Sequence, residues 1–238
     1  MTIQAVMKKM QSDCTTRKGA YVAYSQCVEP TNTLIKMLPH TSNGICQALS
    51  AKWIAEHAND GSLWNWLFAP GSTNVKQAAI ANLMINFTES VVKTGNLANR
   101  SLQGKSTGGD FYQDFVTDKY LGLYGVIRRQ ATQGAYMGSM KNPLSVGTQG
   151  HQLGSRFQQS WLCSKGGSYI LISVLGKGGG HAMAAYVGQD IAFFDPNFGE
   201  FWFPSINEFY PWFLKFWQSS GYDNSFDKFY LLPYAKKV

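Results

Sequence analysis

The spacing of hydrophobic and polar positions changes once along this chain, near residue 166. Before that point, apolar residues recur every three to five positions, as they do on the buried face of a helix. Beyond it, apolar residues form short blocks rich in aromatic and β-branched side chains, which is typical of strands. The predicted helices cover residues 46–59, 74–94, 110–122 and 152–164, and one more, 205–219, lies within the strand-rich half. The predicted strands cover residues 168–175, 181–187, 191–195, 200–203 and 226–232.

The predicted strands follow one another through loops of only a few residues, such as Gly176–Gly180 and Gly188–Asp190. Loops this short join antiparallel neighbours, because a parallel connection needs a dozen or more residues. Between the first helices, residues 62–68 are expected to form a compact apolar turn and residues 95–110 a polar loop. Helices therefore come first and an antiparallel sheet second, which predicts an α+β fold.

No internal repeat or linker divides the chain into independent domains. Residues 1–30 are polar and show no persistent period, so we expect a loosely ordered N-terminal arm with one short helix near residues 3–10. Residues 31–238 are then predicted to form one domain, with a helical part at about 40–165 packed on a sheet part at about 166–238.

The composition indicates a globular protein with a basic surface. Hydrophobic residues make up 45% of the 238 residues and charged residues only 15%. The formal net charge of +7 suits an anionic membrane or an acidic protein as partner. We expect no nucleic-acid partner, because the Lys and Arg residues are scattered without a run of four or more. The oligomeric state is left open, with a monomer as the working expectation.

The location of the protein follows from two further patterns. No apolar run approaches the roughly 18 residues of a membrane-spanning helix. The first twenty residues lack the basic-then-apolar order of a cleavable signal peptide. We therefore expect either a cytoplasmic protein or one that is exported without such a signal.

Four cysteines occur in the chain, namely Cys14, Cys27, Cys46 and Cys163. They form no C-x-x-C pair and no finger-like spacing, and four cysteines are too few for a disulfide scaffold of this size. A structural zinc site would need paired ligands. We expect neither a metal nor a cofactor.

Cys46 stands at the start of a predicted helix. A small polar stretch containing Gly44 leads into it, and Leu49, Trp53 and Ile54 begin an apolar face just beyond it. The N-terminus of a helix favours a thiolate over a thiol. A cysteine in this position can act as a nucleophile if a histidine meets it.

His181 and Asp195 are candidates for the two partners of such a cysteine. His181 opens one predicted strand after three glycines, and Asp195 ends the next strand. In an antiparallel hairpin the start of one strand lies beside the end of its neighbour, so we expect the carboxylate to hold the imidazole. His57 is expected on the surface, whereas His40, close upstream of Cys46, stays a candidate.

Each of the three residues also has a purely structural interpretation. Cys46 by itself is typical of a small buried residue, His181 of a hydrogen-bonded strand histidine, and Asp195 of a turn residue. The functional interpretation comes from the three together, each at the end of its own element.

Three blocks of the sequence resemble the YopT/AvrPphB family of cysteine proteases. They are Gly44–Ser50 followed by Trp53-Ile54, then Gly180-His181-Ala182, and then Phe193–Phe201 with its sequence Phe-Phe-Asp-Pro-Asn-Phe-Gly-Glu-Phe. The resemblance runs roughly from Gly44 to Phe203 and implies a papain-like fold used by bacterial virulence effectors. It implies Cys46 as nucleophile, His181 as general base and acid, and Asp195 as the residue that orients the imidazole.

The resemblance also implies hydrolysis of a peptide bond through a thioester, which needs an oxyanion hole. The Cys46 backbone N–H is one donor, and a side-chain amide five or six residues upstream usually supplies the other. Here those positions are Thr41 and His40, so Asn43 is the candidate amide.

The family acts on host signalling proteins, either Rho-type GTPases or a kinase. The resemblance therefore implies a host protein substrate and secretion into a host cell by type III-like export, without a cleavable signal peptide. Two other functions stay open. One is acyl transfer on the same scaffold, by a transglutaminase, deamidase or acyltransferase. The other is a non-catalytic host-binding module.

Overall fold

The structure is a computed structural model, and it describes residues 2–37, 45–83, 85–87, 109–129, 137–163 and 167–237. In chain order its helices and strands are α1 (Ile3–Thr15), β1 (Ala20–Ala23), α2 (Thr31–Met37), α3 (Cys46–Ala58), α4 (Leu63–Leu67), α5 (Gly109–Leu123), β2 (Val126–Arg128), β3 (Leu144–Ser145), α6 (His151–Cys163), β4 (Ser168–Gly176), β5 (Gly179–Val187), β6 (Ile191–Asp195), β7 (Gly199–Phe203), α7 (Ile206–Ser219), α8 (Tyr222–Ser225) and β8 (Lys228–Lys236). Residues 77–83 and 85–87 are also helical. This order of helices and antiparallel strands confirms the predicted α+β class.

The chain separates into two compact units. The first, which we call the sheet unit, comprises Met1–Tyr24 and Arg128–Ala235. The second, the helical unit, comprises Ser25–Ile127 and Lys236–Val238. A compact unit is not by itself an independently folding domain, so the single domain over residues 31–238 stays a prediction.

The sheet unit is built on antiparallel strands in the order β1-β7-β6-β5-β4-β8, with β3 pairing to β8. The predicted hairpins are confirmed, because β4 pairs with β5 through Gly176 and Gly179 and β5 pairs with β6 through Val187 and Ile191. Sequence reasoning did not place β8 beside β4. These two strands are more than fifty residues apart in the chain, so no local sequence pattern indicates that they pair.

Gly199 shows why a glycine begins β7. Its φ angle is +103°, and a Cβ atom at this position would lie 2.1 Å from the Val22 carbonyl oxygen. Ala23 of β1 pairs directly with it. Only glycine lets β1 come this close to the turn that follows Asp195.

Aromatic side chains of α7 cover one face of the sheet. The buried residues of this helix are Ile206, Phe209, Trp212, Phe213, Phe216 and Trp217. Phe193, in the middle of β6, lies with its ring centre between 5.2 and 6.0 Å from those of the aromatic residues at 209, 212, 213 and 216. Aromatic packing of this density anchors β6, which ends two residues later at Asp195.

The N-terminal stretch of residues 1–30 is not the loosely ordered arm that the sequence led us to expect. The predicted short helix extends to Thr15, and β1 adds an edge strand to β7. Met10 and Cys14 of α1 are buried in the core of the sheet unit. The helical spacing of its apolar residues was obscured by the polar residues between them, among them Lys8 and Lys9.

The helical unit contains α3, which begins at Cys46 and ends at Ala58, close to the predicted limits of 46–59. Leu49, Trp53 and Ile54 are buried, as their spacing predicts. Helix α5 likewise confirms the helix predicted over residues 110–122.

Two other expectations for the helical unit fare differently. Residues 62–68 were expected to form a turn, but α4 is helical there, because the Ser62 hydroxyl caps it by accepting from the Trp64 N–H at 3.2 Å. The helix predicted over residues 74–94 is helical at 77–83 and 85–87, but it does not begin at 74, because Val75 forms a β-bridge with Phe68. Residues 84 and 88–94 and most of the predicted loop at 95–110 lie outside the described residues. None of the helices that the structure describes is both long and apolar enough to cross a membrane.

Candidate active site

His181 and Asp195 extend two apolar rows of the sheet unit. Alternate residues of neighbouring strands share a face, and Met183, Ala185 and Phe193 on this face belong to the core. His181 and Asp195 continue the same face and are 7% and 0% exposed. The proximity that the hairpin predicts is therefore found in the structure.

The carboxylate of Asp195 receives three hydrogen bonds. His181 Nε2 lies 2.8 Å from Oδ1, and the Asn197 backbone N–H donates to the same oxygen at 2.8 Å. The Tyr222 hydroxyl donates to Oδ2 at 2.9 Å and accepts from Asn197 Nδ2 at 2.9 Å. Both oxygens of the Asp195 carboxylate are therefore hydrogen-bonded. Tyr222, which donates to Oδ2, is itself held in place by Asn197.

This arrangement fixes the tautomer of His181. An ionised carboxylate can only accept hydrogen bonds, so Nε2 carries the hydrogen that is shared with Asp195. In the neutral imidazole, Nδ1 then carries the basic lone pair. The lone pair of Nδ1 points away from Nε2 and from Asp195, so Nδ1 is the atom suited to exchange a proton with a reacting group.

Two aromatic rings flank His181. The Tyr222 ring centre lies 5.6 Å from that of the imidazole, and the Phe226 ring lies 6.3 Å away at an angle of only 15°. Apolar walls keep water from competing for the bond between His181 and Asp195, which strengthens it.

Cys46 is the first residue of α3 in the helical unit. It is half-buried and is a thiol rather than half of a disulfide. Ile45 precedes the helix as its N-cap residue and accepts from the Leu49 N–H at 2.9 Å. Cys46 thus lies at a helix N-terminus, as the sequence predicts. The first-turn N–H groups of a helix carry a partial positive charge that favours a thiolate.

Two glutamine side chains lie near the start of α3. Gln26 is 7% exposed, and its Oε1 accepts from the Ile45 backbone N–H at 3.4 Å. Gln47, directly after the cysteine, donates from Nε2 to the Thr117 hydroxyl at 2.9 Å. The amide of Gln47 is thereby directed toward α5.

The structure does not place every candidate from the sequence. Asn43 and His40 are outside the described residues. His57 is half-buried rather than fully on the surface, because its ring packs at 5.0 Å from that of Trp53. His151 is exposed, and its Nδ1 lies 2.6 Å from the Tyr210 hydroxyl.

The remaining cysteines differ from Cys46 in their surroundings. Cys14 is fully buried, and burial raises the pKa of its thiol to about 12, which disfavours the thiolate at neutral pH. Cys27 is exposed, and the side chain of Cys163 is outside the described part. Within the described ranges, no group of three or more His, Cys, Asp or Glu residues is placed to hold a metal ion.

Sequence reasoning missed three polar side chains of these sites. Asn197 and Tyr222 hold Asp195, and Gln26 lies against the residue before Cys46. The Pro-Asn turn after Asp195 was a usable signal for Asn197, since such residues bond backbone groups two positions away. Tyr222 and Gln26 are separated from their partners by 27 and 19 residues, a distance over which spacing carries no information.

Comparison with known proteins agrees with the resemblance read from the sequence. A family model described as "Yersinia/Haemophilus virulence surface antigen" (Peptidase_C58) matches residues 6–232. The "Cysteine protease yopT1" of Yersinia enterocolitica serotype O:8 is 32% identical over 187 residues, which are 76% of this chain and 52% of that protein. "Protein adenylyltransferase and cysteine protease IbpA" of Histophilus somni is 30% identical over 187 residues, again 76% of this chain but 4% of that protein.

Among solved structures, the Pseudomonas avirulence protein AvrPphB aligns over 80% of this chain and 92% of that chain, with 19% identity and a TM-score of 0.49. The chain spans about half the length of the curated Yersinia relative that it matches. The family match covers nearly all of the chain, and it confirms the predicted resemblance to the YopT family. The chain belongs to the Peptidase_C58 family, the Yersinia/Haemophilus virulence surface antigens.

Proposed function

We propose that this chain is a cysteine endopeptidase in which Cys46 is the nucleophile, His181 the general base and acid, and Asp195 the residue that orients the imidazole. One observation carries this assignment: the buried hydrogen bond of 2.8 Å between His181 Nε2 and Asp195 Oδ1. A base held by a buried carboxylate is the part of a catalytic triad that a purely structural histidine does not need. Membership of a family with relatives named cysteine proteases supports the choice of Cys46.

The reaction begins at the thiol of Cys46. His181 Nδ1 takes the thiol proton, and the sulfur attacks the carbonyl carbon of the scissile peptide bond. The carbonyl electrons move to its oxygen and form a tetrahedral intermediate. When they return, the C–N bond breaks, and the imidazolium gives its proton to the leaving amine. A thioester on Cys46 and a free amine result.

Water completes the cycle. His181 Nδ1 takes a proton from water, and the hydroxide attacks the thioester carbonyl. The C–S bond breaks, the carboxylic acid leaves, and the sulfur recovers the proton from the imidazolium. In both halves of the reaction, Asp195 stabilises the charged imidazole of His181 and keeps the Nε2–H of that ring directed away from the reacting atoms.

The substrate in this proposal is a host signalling protein, either a Rho-type GTPase or a kinase. Action inside a host cell after type III-like export is part of the same proposal, and both points rest on the family resemblance. The net charge of +7 supports an acidic target surface over a polybasic one, because like charges repel. Since the chain spans about half of its Yersinia relative, these properties are proposed for the whole protein that contains it.

Mass spectrometry of candidate host proteins tests the proposal. A purified Rho-type GTPase and a purified kinase are incubated with the wild type, Cys46→Ala, His181→Ala and the matched control His151→Ala. We expect one cleaved substrate with the wild type and His151→Ala and none with the other two variants. An intact substrate with a shifted mass would indicate acyl transfer instead. Cleavage that persists in Cys46→Ala would contradict the assignment.

A further inference from the structure

We propose that Tyr222 is a positioning residue of the reaction, which fixes the carboxylate of Asp195 so that this carboxylate holds the imidazole of His181 in one orientation. This role rests on the proposed function, because it concerns how the general base of that reaction is held. In this role Tyr222 exchanges no proton with the substrate and acts through the other two residues. It lies in α8, beyond Phe203, where the stretch that resembles the family ends.

The hydroxyl of Tyr222 is the first ground. It donates to Asp195 Oδ2 at 2.9 Å, while His181 Nε2 and the Asn197 N–H share Oδ1, each at 2.8 Å. A carboxylate that is held at one oxygen can turn about its Cβ–Cγ bond, because that torsion is broad. A donor on each oxygen removes this freedom and fixes the plane in which Oδ1 meets the imidazole.

The direction of the hydroxyl is the second ground. Asn197 Nδ2 donates to the Tyr222 oxygen at 2.9 Å. An amide NH₂ group can only donate and a phenol carries a single hydrogen, so the hydroxyl hydrogen points at Asp195. The amide, the phenol and the carboxylate form one chain of hydrogen bonds that ends on the negative charge, and the bonds in such a chain strengthen one another.

The packing of the Tyr222 ring is the third ground, because it leaves the hydroxyl little room to move. Tyr222 is 6% exposed. Its ring centre lies 5.4 Å from that of Trp217, 5.8 Å from that of Phe198 and 5.2 Å from that of Phe226. Aromatic packing of this density holds a side chain in one rotamer. The same ring lies 5.6 Å from the imidazole of His181, so Tyr222 contacts both members of the pair.

No bond to the Tyr222 hydroxyl breaks during the reaction. Its hydrogen stays on the phenol oxygen while His181 Nδ1 takes the proton of Cys46 and later gives it to the leaving amine. The carboxylate stabilises the positive imidazole best when Oδ1 stays in line with Nε2–H. The hydroxyl maintains this alignment, so its loss should slow proton transfer without abolishing it.

Two measurements separate this role from a purely structural one. The first is the rate at which para-nitrophenyl acetate acylates Cys46, followed by peptide mass spectrometry with Cys46→Ala as the background. The second is the ¹⁵N NMR signature of the His181 ring, which reports the nitrogen that carries the hydrogen. It is recorded in Cys46→Ala labelled at histidine, at about pH 9, where an ordinary imidazole is neutral. Replacing His181 with Ala assigns its resonances.

The test variant is Tyr222→Phe, which keeps the ring and removes the hydroxyl. Val187→Ala is the control matched for stability, because it removes buried methyl groups of the same sheet unit at the opposite end of β5 from His181. Tyr210→Phe is the control for the loss of a hydroxyl, since the Tyr210 oxygen lies 2.6 Å from Nδ1 of the exposed His151. All variants are compared under conditions in which urea denaturation shows them to be folded.

We expect Tyr222→Phe to acylate Cys46 about tenfold more slowly than the wild type, because a hydrogen bond to a charged group is lost. With the hydroxyl present, the His181 ring should carry its hydrogen on Nε2 alone. Without it, the signature should shift toward a mixture in which Nδ1 carries the hydrogen in part. Val187→Ala and Tyr210→Phe should change the rate by less than about twofold and leave the signature unchanged.

Asn197→Ala is a second variant, which keeps the Tyr222 side chain whole. It removes the amide that donates to the hydroxyl but retains the backbone N–H that donates to Asp195. We expect the same two changes, with a rate that falls by about threefold. This variant decides the question if Tyr222→Phe does not fold.

Two results would overturn the positioning role while leaving the proposed function intact. One is a Tyr222→Phe protein that matches Val187→Ala in both measurements. The other is a change in only one of the two measurements, since the role requires the ring signature and the rate to change together. A wild type whose Cys46 is acylated no faster than that of His181→Ala would overturn the proposed function and this inference together.

Discussion

His181 Nε2 and Asp195 Oδ1 lie 2.8 Å apart on neighbouring antiparallel strands, at the point where the apolar rows of both strands end. The register pairs Ala184 with Phe194, so His181 lies diagonally across the hairpin from Asp195 on the same face, within reach of its side chain. A rigid sheet is the more precise support for such a pair, because loops carry more conformational freedom than strands.

Replacing Asp195 with Ala should lower both the activity and the stability of the protein. Three donors, from His181, Asn197 and Tyr222, would lose their acceptor in a buried place. We expect kcat/KM to fall by about 1,000-fold and the free energy of unfolding to fall by about 3 kcal/mol. Substrate cleavage and urea denaturation measure the two effects. Asp190→Ala is the control, since that half-buried carboxylate accepts a hydrogen bond from the exposed indole of Trp202 and its loss should cost less than about 1 kcal/mol.

Replacing Tyr222 with Phe should destabilise the sheet unit without creating a cavity in its core. The variant keeps the ring against His181 but removes the hydroxyl that bridges Asp195 and Asn197. The buried carboxylate of Asp195 and the half-buried amide of Asn197 each lose a partner, so we expect the free energy of unfolding from urea denaturation to fall by about 2 kcal/mol. Tyr210→Phe, which removes a solvent-exposed hydroxyl, should cost less than half as much. Equal losses in the two variants would argue against a bridging role.

The buried thiol of Cys14 should make the protein less stable in alkali. Burial raises the pKa of this thiol from 9.0 to about 12. From about pH 9 upward, the unfolded chain therefore loses the proton while the folded chain keeps it, and the free energy of unfolding falls as pH rises. Urea midpoints at pH 8 and pH 10 measure the slope, which should be smaller in Cys14→Ala. A slope that is unchanged in Cys14→Ala would contradict this role and would assign the pH dependence to other groups, such as the half-buried Tyr21, whose pKa is also raised by burial.

Lys52 should stabilise the helix that begins with Cys46. Its Nζ lies 2.5 Å from Glu56 Oε1 and about 5 Å above the rings of Trp66 and Tyr124. The side chain is 8% exposed, so its removal would leave a mostly buried carboxylate without its cation. We expect Lys52→Ala to cost about 2 kcal/mol in thermal or urea unfolding. Lys119→Ala, which removes an exposed cation from above a ring, should cost about 0.5 kcal/mol or less.

Local patterns in the sequence were enough for the parts of the fold that repeat over short distances. The start of α3 at Cys46 and the hairpin that joins β5 to β6 both follow from periods and loop lengths within about twenty residues. The proximity of His181 and Asp195 follows from the same hairpin, because it places the start of one strand beside the end of the other with both side chains on one face.

The features that escaped sequence reasoning depend on distant contacts. Helix α1 is polar along most of its surface, and it is fixed by burying Met10 and Cys14 against strands that come much later in the chain. Tyr222 reaches Asp195 only because α7 returns across the sheet. These features are determined by tertiary packing, so the local propensities of the sequence do not predict them.

Labelling with an epoxysuccinyl inhibitor of papain-type enzymes tests the central claim most directly. The native protein is treated at neutral pH, and the adduct is located by peptide mass spectrometry in the wild type, His181→Ala and His151→Ala. We expect a single adduct on Cys46 in the wild type and His151→Ala, forming at least about 100-fold more slowly in His181→Ala. An adduct on Cys14, Cys27 or Cys163, or labelling of Cys46 that is unaffected by the loss of His181, would contradict a catalytic pair of Cys46 and His181.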